Sequence, residues 1–253
     1  KIFWIDLGGG LLFGLGMLIY TYSLRYVGIG VSFLLNIAGG TIFGSLPPLL
    51  LLNPEKIKTP MGMWLLIGMF IFLLGLINAG VAAKKRDANN TTSDTITHGK
   101  SGRGILLGIL SGLFCAAQGA AYGYTLPEIN QIAANLNIAP LAAANFSWIP
   151  IFNAAFIPFF LYFLLNNIRE KSWRYINTKN IIGLEWIFAM ALLAFISLIV
   201  FSKAAISVGH LGSVITWPVF MISIILTSNF WGWQEGEWKN AGFAADLWQI
   251  SSI

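Results

Sequence analysis

Charged residues are scarce in this chain. Lys, Arg, Asp and Glu make up 10% of its 253 residues, against roughly 25% in a soluble globular domain. With 57% of the residues hydrophobic and a mean hydropathy of +0.74, the chain cannot present a water-compatible surface by folding on itself, so lipid is its solvent. Cysteine is scarcer still. Cys115 is the one thiol and sits in an apolar stretch, which excludes a disulfide framework. One Cys and two His leave no cluster with metal-ligand spacing, and the HExxH, GxSxG and P-loop patterns are missing. Neither enzymatic activity nor a metal or other cofactor is expected. The net charge of +5 does not point to nucleic acid as a partner, because the basic residues lie in short runs between apolar stretches.

Long apolar runs are what the sequence has instead. About 20 apolar residues are needed to cross a bilayer as a helix, and seven runs qualify: 4–22, 29–52, 61–83, 104–126, 139–165, 181–203 and 211–233. The runs are continuous rather than alternating, which excludes a β-barrel. The predicted fold is therefore all-α, a polytopic bundle of transmembrane helices. Pro47, Pro48, Pro150, Pro158 and Pro218 fall inside these runs. A membrane bundle tolerates them where neighbours satisfy the freed carbonyls, and the 27 glycines suit closely packed helices. The first run holds Asp6 near its outer end, and no carboxylate falls at the centre of any run.

Three spans (1–83) precede a polar segment, 84–103, and four spans (104–233) follow it. The segment reads KKRDANNTTSDTITHGKSGR, a flexible linker by composition. Residues 234–253 are too polar to span and read as a tail or the remnant of a further helix. Alternating the spans across the membrane puts eleven Lys and Arg on one side and four on the other. The positive-inside rule makes the richer side cytoplasmic. This places residue 1 outside and 84–103 inside a bacterial-type inner membrane, where the Asn90 sequon stays unglycosylated.

Two short glycine turns resemble each other. Tyr26, Val27, Gly28, Ile29 and Gly30 join the first two spans; Ser207, Val208, Gly209, His210, Leu211 and Gly212 join the last two. They lie on opposite sides of the membrane, as in inverted-topology repeats of secondary transporters.

Three stretches carry a resemblance to a known family. The first runs from Gly10 through Gly14 and Gly16 to Tyr20, Arg25 and Gly28. The second runs from Ser111, Gly112 and Phe114 to Ala120. The third runs from Trp217 and Pro218 through Asn229 and Trp231 to Glu237, Trp238, Lys239 and Gly242. Together they resemble, in order, the L-rhamnose–proton symporter family of the drug/metabolite transporter superfamily. The resemblance implies ten helices in two inverted halves, of which this chain would hold the third to the ninth. The abrupt start at Lys1 and the absence of an initiator Met agree with a chain lacking two helices upstream and one downstream. The stretch after Gly242 departs from the family by not continuing as an apolar helix.

A carrier's site belongs at midplane, and a sugar calls for hydrogen-bonding side chains beside flat aromatic faces. Mid-span candidates for binding solute are Asn36, Gln118, Tyr122, Asn145, Trp148, Asn153 and Trp217. The plainer role for each is interhelical glue or an interface aromatic. Proton coupling requires a titrating group, for which Glu128, Glu185 and His210 are the candidates, although each lies near a membrane face where water can solvate it. Arg25 reads as a headgroup anchor or a cap on a helix C-terminus. The expected partners are a small polar solute, protons and lipid. The alternatives are a metabolite or drug exporter of the same superfamily and, more remotely, a seven-helix receptor. A retinal pigment needs a mid-span Lys late in the chain. Lys203 lies at the end of the sixth run and the seventh has none.

Overall fold

The computed structural model describes residues 1–52, 54–89, 101–172, 183–209, 212–236, 238 and 241–251. Its helices are α1 (Ile2–Leu52), α2 (Pro60–Asn89), α3 (Ser101–Asn135), α4 (Pro140–Phe146), α5 (Trp148–Glu170), α6 (Leu184–Val208), α7 (Gly212–Gln234) and α8 (Phe243–Ile250). No strand occurs among the described residues. Seven segments are long and apolar enough to cross a membrane: Ile2–Gly28, Gly30–Leu51, Pro60–Ala82, Gly102–Asn135, Pro140–Glu170, Leu184–Val208 and Gly212–Gln234. They are spans 1 to 7 below. The protein is an all-α bundle with the architecture of a multi-pass membrane protein.

Spans 1 and 2 belong to one long helix broken at Gly28, where φ is 78° and ψ 171°. Only glycine adopts that conformation without strain. The chain turns back there, so that Ser23 and Ser32 hydroxyls meet at 2.9 Å. Gly209, between spans 6 and 7, has φ 82° and ψ −135°. The two turns thus share a glycine with positive φ and extended ψ, at opposite ends of the bundle. His210 lies outside the described residues.

Span 4 is the axis of the packing. Asp6, Gly16 and Ser23 of span 1 meet Thr125, Cys115 and Gly104 of span 4 in descending order, so these spans run antiparallel. Leu35 and Gly39 of span 2 meet Gly108 and Gly112 in ascending order, so that pair is parallel. Gly10 and Gly14 of span 1 pack on the backbone of Ile151 and Ala155 in span 5, again parallel. All three directions agree with seven alternating crossings. Glycine makes them close: a Cβ on Gly39 would lie 2.8 Å from the Gly112 Cα.

Helices continue through Pro127, Pro158 and Pro218. The exception is Pro150. Lacking an N–H, it cannot bond the carbonyl four residues back, and the helix divides at Ser147 between α4 and α5. At the start of α2, the Thr59 hydroxyl accepts the Gly62 N–H at 3.2 Å, an N-cap followed by Pro60 at the first helical position.

Three expectations from sequence are revised. Residues 84–89 continue α2 and 101–103 open α3, so helix invades both ends of the expected linker, whose middle (90–100) lies outside the described residues. Span 4 does not stop near residue 126, because Ile129, Ile132 and Ala133 keep helical spacing beyond Pro127 to Asn135. The segment read as a polar tail or the remnant of a further helix holds the short amphipathic α8. Its Ala245 packs with Ala82, Trp238 and Ala241, and the Lys85 ammonium sits 6.0 Å from the Trp248 ring centre.

Candidate functional site

Tyr122, Trp148, Phe201 and Trp217 of the second half converge on one core. Tyr122 of span 4 stacks on Trp148 of α5 with ring centres 4.4 Å apart and planes at 11°. Phe201 of span 6 meets both rings, and Trp217 besides, in tilted or edge-on contacts. Each polar tip in this core has a partner, as a water-free interior demands. The Tyr122 hydroxyl and the Trp148 Nε1–H both donate to the Ser202 Oγ, at 3.1 and 3.0 Å. The Trp217 Nε1–H donates to the Gly40 carbonyl of span 2 at 3.1 Å. Trp217 therefore ties span 7 to span 2, while its ring lies against Gly119 of span 4.

Beside this core lies an open cleft of about 650 Å³, along which Ser223, Thr227 and Trp231 are exposed. Trp148, Phe152, Trp217 and Phe220 supply aromatic walls; Gln118 and the hydroxyls of Ser197, Ser223 and Thr227 supply hydrogen-bonding groups. Gln118, Ser197 and Ser223 each stand near the middle of their spans, so the cavity is at mid-depth in the bundle. The three hydroxyls donate to carbonyls of their own helices, which leaves their oxygen lone pairs as acceptors. Among the described residues, no acidic or basic side chain lines it. Such a volume and lining suit a small neutral ligand.

The seven residues expected to bind solute separate into groups. Gln118, Trp148 and Trp217 line this cavity, and Tyr122 backs it through its stack on Trp148. Asn36 instead donates to Ser111 and Cys115 of span 4, at 3.0 and 3.3 Å, which is interhelical glue. Asn153 is exposed and donates to the Ile149 carbonyl of its own helix at 2.8 Å. Asn145 lies on α4, away from the cavity lining, with a buried Oδ1 lacking a partner. Of the residues expected to carry protons, Glu128 and Glu185 are exposed on the outside of the bundle, and His210 lies outside the described residues.

One buried carboxylate is added by the structure. Asp6 is 1% exposed and accepts a hydrogen bond from Thr125 Oγ1 at 2.9 Å. Its sequence signal was a lone acid near the end of an otherwise apolar run. Among the described residues, no group of three or more His, Cys, Asp or Glu is arranged to hold a metal. No protein family, curated protein or solved structure matches the chain.

Proposed function

We propose that this protein is a secondary carrier of a small neutral polyhydroxy solute, a sugar of the deoxyhexose kind, working in a bacterial-type inner membrane with the 84–103 side cytoplasmic. The mid-depth cavity carries the reading. It pairs flat indole and phenyl faces, suited to the C–H side of a sugar ring, with an amide and several hydroxyls suited to its O–H groups. The two glycine hairpins at opposite ends of the bundle support it, since inverted repeats place a solute site between halves that rock about it. The resemblance of Gly10–Gly28, Ser111–Ala120 and Trp217–Gly242 to the rhamnose-symporter family supplies the choice of sugar.

The exporter alternative takes an amphipathic compound or metabolite as cargo, a lipophilic cation being the case most easily tested. Aromatic faces attract cations, but among the described residues no carboxylate lines this cavity, so a neutral solute fits it better. Counterflow in liposomes holding the purified chain tests this choice. Labelled L-rhamnose is expected to exchange with unlabelled sugar inside, and lipophilic cations are not expected to compete. Gln118→Ala removes one hydrogen bond to solute, worth about 0.5–1.5 kcal/mol. It is expected to raise the half-saturating sugar concentration roughly two- to tenfold while leaving the unfolding temperature unchanged. Exchange blocked by dyes and indifferent to sugars would replace this reading with the exporter.

A further inference from the structure

We propose that Asp6 is the proton-binding group of this carrier, held in a second cavity linked to the solute cavity through the consecutive residues Ser147 and Trp148; the inference rests on the carrier reading above.

The second cavity measures about 430 Å³ and lies between the start of span 1, the outer end of span 4 and the α4–α5 break. Ile129, Ile132, Ala143 and Phe146 make it almost wholly apolar. Two polar groups stand in that lining. One is Asp6, a buried carboxylate on span 1; the other is Ser147, whose Oγ is buried and has no hydrogen-bond partner. A carboxylate in hydrocarbon is tolerated only with a partner or a task. Among the described residues, Thr125 is the one side chain bonded to Asp6. A carboxyl and two hydroxyls offer too few oxygens for a hard metal cation, which takes about six. A proton needs a single acceptor. Binding it forms one O–H bond on Asp6 and discharges the carboxylate; the proton is drawn from water and is returned to water on release.

The surroundings leave that exchange to Asp6. On span 4 the titratable groups nearby are Tyr122, whose hydroxyl is bonded to Ser202, and Tyr124 and Glu128, both exposed on the outside of the bundle. Lys1 is exposed at the head of span 1, and neither α4 nor the first turns of α5 carry a titratable or charged residue.

The two cavities are joined by consecutive residues. Ser147 lines the Asp6 cavity, and Trp148, the next residue, lines the solute cavity. The same joint recurs on span 4. Thr125 bonds Asp6, and Tyr122, one turn earlier, stacks on Trp148. Re-pairing the hydrogen bonds at Asp6 therefore acts one residue from the Trp148 ring at the α4–α5 joint and one helical turn from its stacking partner Tyr122 on span 4.

The test uses the full chain in liposomes as wild type, Asp6→Asn and Asp6→Glu. An acid-outside gradient should drive accumulation of labelled L-rhamnose by wild type, and D6N should reduce it at least tenfold while gradient-free counterflow stays within twofold. Infrared difference spectra on acidification should show a carboxylic C=O band in wild type, lost in D6N and moved in D6E. Gradient-driven accumulation retained by D6N, or a band that neither substitution alters, overturns the proposal. If D6N does not fold, the D6E band decides alone. If wild type exchanges no sugar, the carrier reading falls, while the spectra still decide whether Asp6 binds a proton.

Discussion

Ser202 illustrates how much one uncharged hydroxyl can organise in a dry interior. It is fully buried on span 6, and its Oγ receives both the Tyr122 hydroxyl and the Trp148 indole N–H. Replacing it with alanine strands two donors where water does not reach. Ser202→Ala is expected to destabilise the protein by roughly 1–3 kcal/mol, between the measured worth of interhelical hydrogen bonds and the full penalty of stranded donors. Thermal unfolding in detergent checks this, with Ser202→Thr, which keeps the hydroxyl, as the control. An S202A protein that melts like wild type would show that the two rings hold their places by packing alone. Sequence reading missed Ser202 for a physical reason: serines in membrane helices commonly bond their own carbonyls, so nothing local marks the one that reaches across. Gln118, Trp148 and Trp217 were legible because an amide or indole in mid-span needs a partner or a ligand. Asn36 and Asn153 carry the same signal and spend it on neighbouring groups. Asp6 was visible as a residue, but its burial depends on which helices close over it, and that is tertiary.

Glycines decide which helices can touch. Along span 1, Gly10 and Gly14 face the span 5 backbone and Gly9 and Gly16 face span 4, whereas Gly8 has open space beside it. A methyl at Gly14 would press on the Ala155 carbonyl, a backbone atom that cannot swing aside. Gly14→Ala is thus expected to lower stability by about 1–3 kcal/mol. Gly8→Ala should leave it unchanged or raise it by up to about 1 kcal/mol through helix propensity. The pair should separate in thermal unfolding of the purified variants, and equal shifts would mean that span 1 does not pack on span 5 as described. The spans themselves were legible because lipid enforces long apolar runs, and the glycine turns because a sharp reversal requires positive φ. Helix ends were less so. Residues 84–89 and 127–135 are polar enough to end an apolar run, yet they keep the helical hydrogen bonds going. α8 was hidden because a short amphipathic helix takes its stability from packing on α2 rather than from its own length.

At the scale of the molecule the open quantity is sidedness, and charge argues it. Alternating the spans in sequence puts eleven of the fifteen Lys and Arg on the side of the 84–103 segment, and basic loops are held back in the cytoplasm. The helix directions found by packing fix which turns share a side, so two labelled positions suffice to orient the whole bundle. Cys115 is the only thiol and is buried, so added cysteines can be read without removing it. Lys85→Cys, on the exposed end of α2, is expected to react with a membrane-impermeant maleimide only after cells are permeabilised. Asn137→Cys, in the exposed turn between α3 and α4, should react in intact cells. The opposite pattern would invert the bundle. Asp6, one turn from the outer end in the present reading, would then face the cytoplasm, and its proton would enter from the wrong side to drive uptake. Sidedness and the role of Asp6 therefore stand on the same pair of labels: an import-driving proton site requires Asn137 outside and Lys85 inside.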